Sequence, residues 1–192
     1  MAAILATAND PRLDDPRLVL AFPEWQVDLP GGQRPSQTDL LALLRGQDGL
    51  VAVAVEGKVD EALGPTVGEK RAENSLGVDE RLDWLVGTLC LASCPDSVRY
   101  QLLHRTASAL LAAREFDVAA AVMLVHSFSP TAKWFDDFAA FVSLFGVEPQ
   151  MNELAYLVVR FTNILTNLLC IIFCFICVSV LAALKEISGS IY

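Results

Sequence analysis

The chain has 192 residues, of which 54% are hydrophobic and 19% charged, and its formal net charge is −9. That length suits one domain with an appendage, and that charge excludes a protein that coats nucleic acid by electrostatics alone, because such a protein is basic. The apolar excess over an ordinary soluble domain is concentrated after Leu154, which marks the main boundary in the sequence.

Residues 1–17 are rich in Asp and Pro and predict a flexible lead-in. In LVLAFPEWQVDL, the residues Trp25, Val27 and Leu29 alternate as in a half-buried strand. PGGQRP is a turn, with Pro30, Gly31 and Gly32 supplying the dihedrals. SQTDLLALL is a second strand and RGQDG a second turn. LVAVAV is a third strand, apolar on both faces and therefore central in a sheet. Two short turns joining three strands predict an antiparallel meander.

A polar loop follows Lys58. VDERLDWLVGTLCL then carries Leu82, Leu85, Val86 and Leu89 at helical spacing. PDSVRYQLLHRTASALLAAREF is a second helix, with Asp96 or Ser97 as its cap after Pro95. VAAAVMLVHSFS is a fourth strand, and WFDDFAAFVSLFG an aromatic amphipathic helix closed by Gly146. The order β-β-β-α-α-β-α predicts an α/β or α+β core with a mixed sheet over residues 18–147.

Residues 148–192 read as a linker and an apolar helix. From Ile164 to Leu184 the chain runs 21 residues without a charge, long enough to cross a bilayer. An unbroken helix over about 157–184 is expected, with few contacts to the core. A transmembrane span at 164–184 would attach a cytoplasmic domain to the inner membrane. Arg160 and Lys185 flank the run, so positive charge sets no orientation. The opening MAAILATANDPRLDD has neither a basic nor a long apolar region of a secretory signal, so the cysteines are expected as free thiols in a reducing compartment. Cys90 and Cys94 lack the spacing and the histidines of a zinc site.

The chemistry concentrates at the ends of the second and third strands. The turn between them brings Asp39 and Glu56 to one sheet edge. Two carboxylates there repel unless a cation lies between them. Mg²⁺ suits that place, with the Gly57 carbonyl as a further oxygen ligand. Lys58 stands beside it, placed to orient or help deprotonate an attacking water, or to neutralise charge on a phosphate. On the second helix, Gln101, Arg105 and Ser108 form a polar stripe with His104 beside them. No GxGxxG, Walker loop or GxSxG is present. His126 with Ser127 and Ser129 makes no catalytic dyad, since neighbours on a strand point to opposite faces.

Asp39 in QTDL, with Glu56 and Lys58 in VEGK, resembles the PD-(D/E)XK nuclease superfamily, over roughly residues 20–130. The wording LPGGQRPSQTDL, AVEGKVDE, GPTVGE, RYQLLHRTASAL and MLVHSFS is similar to an uncharacterised bacterial family of unknown function placed near it. The sequence departs from the superfamily at Thr38, where proline is usual. It departs again in having no opening helix with a further Glu before Trp25, although Glu24 offers an acid there. The resemblance implies a restriction-endonuclease-like three-layer sandwich with a mixed four-stranded sheet, here followed by the hydrophobic helix. It also implies a Mg²⁺-dependent phosphodiesterase acting on DNA. Asp39, Glu56 and Gly57 would be metal ligands, Asp39, Glu56 and Lys58 catalytic, and Gln101 and Arg105 phosphate-binding. A catalytically inactive binding or scaffold module of the same fold, or a membrane-anchored docking protein, is the alternative.

Overall fold

The structure, a computed structural model, describes residues 11–32, 34–118, 120–129 and 131–148, and the backbone of 168–175. Strand β1 (Arg17–Val27) pairs antiparallel with β2 (Ser36–Gly46), and β2 antiparallel with β3 (Gly49–Lys58). Helices α1 (Val67–Arg71), α2 (Leu76–Thr88) and α3 (Tyr100–Glu115) then carry the chain across to β4 (Ala120–Ser127), parallel to β3. A parallel neighbour needs such a crossover, because no hairpin can reach it. Helix α4 (Phe135–Ser143) and strand β5 (Leu168–Phe175), parallel to β4, complete the described elements. The sheet order is β1-β2-β3-β4-β5. Its first four strands are the mixed sheet that the sequence predicts.

Alternation along β3 explains the packing. Ala52 and Ala54 face the helices, where they join Leu103, Ala107 and Leu110 of α3 in one buried cluster. Small side chains on both surfaces let α3 lie close to the sheet. Val51, Val53 and Val55 face the other way and cluster with Val122 and Leu124 of β4. Both faces of β3 and β4 are thus buried, as their continuous apolar runs require.

Four features depart from the sequence reading. Within the expected lead-in, Leu13 is buried in that second cluster, and the Pro11 carbonyl accepts the Gln47 amide at 3.2 Å. Gly46 admits this approach, since a Cβ there would lie 1.9 Å from the Arg12 carbonyl oxygen. The TVGEK stretch, expected as loop, forms α1 behind a capping box between Thr66 and Glu69. Helix α3 starts at Tyr100 behind Arg99, not after an Asp96 or Ser97 cap. The carbonyls of Asp96 and Val98 are used instead to satisfy the first amides of α1, at 2.9 and 2.8 Å. The last departure is β5. Residues 168–175 lie in a parallel strand, in the middle of the predicted membrane helix. A run of Ile, Leu, Phe and Cys serves a strand buried on both faces as well as a helix, and periodicity cannot separate the two. The remainder of that run, 164–167 and 176–184, lies outside the described residues. No helix among the described residues is long and apolar enough to cross a membrane.

Candidate functional site

The face of β3 that carries Ala52 and Ala54 ends in Glu56 and Lys58. Both are buried, at 3% and 7% exposure, so their charges must be compensated locally. Lys58 Nζ donates to Glu56 Oε1 at 2.9 Å. From α3, Gln101 Nε2 donates to the same oxygen at 2.6 Å and Arg105 Nε to Oε2 at 2.7 Å. Gln101 and Arg105 stand one helical turn apart, so a single face of α3 supplies both. Gln101 Oε1 is buried without a partner beside this carboxylate.

Arg105 also donates through Nη1 to Ser36 Oγ at 2.9 Å, and Ser36 Oγ lies 2.9 Å from His104 Nδ1. Burial first, then the cations Arg105, Arg81, Lys70 and Lys58, lower the His104 pKa to about 3. The imidazole is therefore neutral at physiological pH. Ser36 Oγ accepts from Arg105 and meets Nδ1 as donor or acceptor according to the imidazole tautomer.

Asp39 is placed differently. Leu41 and Leu43 of β2 face the helices, and so does Ser36, through His104 and Arg105. Same-facing residues in a regular strand are an even number apart, so the alternation changes phase between Ser36 and Leu41. The register shows where. The β2–β3 ladder reaches Leu40↔Val55 and stops. Glu24, opposite Asp39 on β1, has φ 53° and no ladder partner. The Asp39 carboxylate replaces the missing ladder acceptor, taking the Gly57 amide at 2.6 Å. The two acids thus have separate partners. Glu56 is held by Lys58, Gln101 and Arg105, and Asp39 by the backbone between Glu56 and Lys58.

The other residues singled out from the sequence play local parts. Ser108 Oγ donates to the His104 carbonyl at 2.7 Å. His126 lies against Phe128, with ring centroids 4.3 Å apart, and burial lowers its pKa. Ser129 Oγ accepts the Lys133 amide at 3.2 Å. Cys90 and Cys94 are free thiols.

One feature was not anticipated. A cleft of about 530 Å³ opens between the β1–β2 turn, α1, α2 and α3, with Ser36 and His104 in its wall. Arg81 of α2 builds it by donating to four carbonyls of the turn, those of Leu29, Pro30, Gly32 and Arg34, at 2.9–3.5 Å. The turn can come that close because of glycine. A Cβ on Gly31 would lie 2.5 Å from the Gly77 carbonyl oxygen, and one on Gly77 would lie 2.8 Å from the Gly32 nitrogen. The sequence signal was the pairing of Gly31-Gly32 with Gly77 and Arg81, which only contact across the fold makes readable.

A family model for DUF6946, a domain of unknown function, matches residues 1–172. The chain belongs to this family. The DUF6946 match takes in the lead-in, every element through α4, and β5 as far as residue 172. No curated protein and no solved structure matches the chain. Among the described residues, no three or more His, Cys, Asp or Glu side chains gather into a group able to hold a metal ion.

Proposed function

We propose that this DUF6946 chain is a Mg²⁺-dependent phosphodiesterase acting on DNA, built as a restriction-endonuclease-like three-layer sandwich. The observation that carries this reading is the end of β3. Glu56 and Lys58 meet Gln101 and Arg105 there, and Asp39 bonds the backbone between the two. The strand order supports it too, since an antiparallel meander whose third strand runs parallel to the fourth sets that strand end under α3.

The donor chemistry fits a hard cation. Asp39 and Glu56 offer carboxylates, Gly57 a carbonyl, and Gln101 an unpartnered buried oxygen. Mg²⁺ keeps several waters and needs only one or two carboxylates, so it does not require the larger acidic group that is missing among the described residues. Asp39, Glu56 and Gly57 would hold it, and when bound it supplies Lewis-acid polarisation and charge neutralisation at a phosphate. The chain's own residues do the positioning. Arg105 spends one N–H on Glu56 and one on Ser36, which fixes its plane and leaves other donors for a phosphate oxygen. Lys58, fixed by Glu56, holds a proton at Nζ beside the same place. Gln101 sets the Glu56 carboxylate.

Incubation of duplex and single-stranded DNA with the full chain, in Mg²⁺ and in EDTA, tests this reading. Cleavage should require Mg²⁺, and Glu56→Gln and Lys58→Met should each lose on the order of 10²-fold or more. Parent-like cleavage by Glu56→Gln, or cleavage in EDTA, refutes it. A second reading, a binding or scaffold module of the same fold without activity, is favoured by one observation. Both Glu56 oxygens are already occupied, by two cations and an amide, at 3% exposure. Retained DNA binding with no cleavage in any condition selects it.

A further inference from the structure

The cleft beside Glu56 is outside the network just described, yet Ser36 is shared by the two. Its hydroxyl contacts His104 in the cleft wall on one side and Arg105 on the other. The lining contains three cations, Arg34, Lys70 and Arg81, against one carboxylate, Glu73, in a chain whose net charge is −9. An anionic ligand meets few attractive surfaces on such a protein, so a local reversal of sign inside a concave wall focuses it there. The wall is also preorganised. Arg81 spends its donors on the turn carbonyls, which fixes the turn that carries Arg34. Lys70 is anchored at 2.5 Å from Glu73 and lies over the Tyr100 ring, 5.6 Å from its centroid.

The geometry points to a phosphate-binding cleft, in which Arg34 and Lys70 take a phosphate of a nucleic-acid strand. The choice of a strand as ligand rests on the phosphodiesterase reading, through Ser36, which joins the cleft to the Glu56 network. The cleft's affinity for phosphate rests on its own charges and shape. A free nucleotide offers the same chemistry and is separated by the test.

Binding of a short fluorescein-labelled single-stranded DNA to the full chain is measured in EDTA across a salt series, with thymidine monophosphate as competitor. Arg34→Glu combined with Lys70→Glu should weaken binding by about tenfold or more, and the slope of log affinity against log salt should become shallower by about 0.7 for each phosphate no longer neutralised. Glu73→Gln should tighten binding severalfold, a gain that misfolding cannot imitate. Binding in EDTA needs no metal, and Arg34, Lys70 and Glu73 lie outside the Glu56 network, so failed cleavage and failed cleft binding are read separately. Parent-like affinity in the charge-reversal variant, or no gain in Glu73→Gln, overturns the cleft even where Mg²⁺-dependent cleavage is found. Thymidine monophosphate competing as well as the oligonucleotide overturns the strand and makes a free nucleotide the ligand.

Discussion

Acid should destabilise this protein through His104, and the size of the effect follows from the site. The ring sits on α3 among Arg105, Arg81, Lys70 and Lys58, and burial leads the causes that hold its pKa at about 3, against 6.5 for an ordinary histidine. A base with a depressed folded-state pKa is protonated first in the unfolded chain. Its contribution is therefore complete above the unfolded value and is lost as pH falls from about 6.5 toward about 3. Linkage across that window gives a loss of about 2 kcal/mol by about pH 5, with little lost at neutral pH. Urea unfolding of the full chain at neutral pH and at about pH 5 measures it, with His104→Gln as the reference. His126, whose pKa burial also lowers, is present in both proteins and cancels. The parent should lose about 2 kcal/mol more than His104→Gln over the interval. Equal losses in the two would show that His104 is free to take a proton in the folded state, and the neutral Ser36–His104 contact would be refuted.

Glu56→Ala should cost about 3–5 kcal/mol in chemical denaturation, because it leaves Lys58 and Arg105 buried without a counter-charge; a cost near zero would mean that the network is solvated. Gly77→Ala drives a Cβ to 2.8 Å from the Gly32 nitrogen, so a thermal melt should report a loss of about 1–3 kcal/mol and oligonucleotide binding should weaken with it. Ending the chain at residue 167 removes β5 and opens the edge of β4, a strand with Ala121, Val122, Met123 and Leu124 buried. The truncated protein should aggregate, whereas a soluble folded product would show that β5 is dispensable to the sheet.

The strands and the longer helices were readable because each obeys a local period. Val51, Val53 and Val55 against Ala52 and Ala54 announce a central strand, and the two turns fix the meander. The polar stripe on α3 was readable for the same reason, since Gln101 and Arg105 repeat at one turn. What escaped depended on other segments. Asp96 looked like a cap until the neighbouring α1 was seen to need its carbonyl, and Asp96 spends its carboxylate on Arg71. The 168–175 strand escaped because an apolar run carries no phase. The cleft escaped because Gly31 and Gly77 are far apart in sequence. Asp39 is the instructive case. Its chain position was read from the turn length, assuming an unbroken pleat, and the pleat breaks at that residue, where Glu24 has φ 53°.

The break changes what the acid at position 39 does. In a continuous ladder, Asp39 and Glu56 would be cross-strand neighbours on one face, and their repulsion would be relieved only by a cation between them. With the ladder ended at Leu40, Asp39 is turned onto the Gly57 amide, while Glu56 is neutralised from its own strand and from α3. The charges at this buried strand end are therefore balanced before any ligand arrives. Lys58 and Arg105 match Glu56 and Asp39 in charge, and the Ser36–Arg105 contact joins this balanced end to the cleft wall. On the cleft's side the cations Arg34, Lys70 and Arg81 outnumber the one carboxylate, Glu73. The local field thus favours an anion in the cleft, next to a strand end whose own charges are matched. This holds whether the strand end cuts a phosphodiester or only holds one, because the same arginine and lysine side chains serve both.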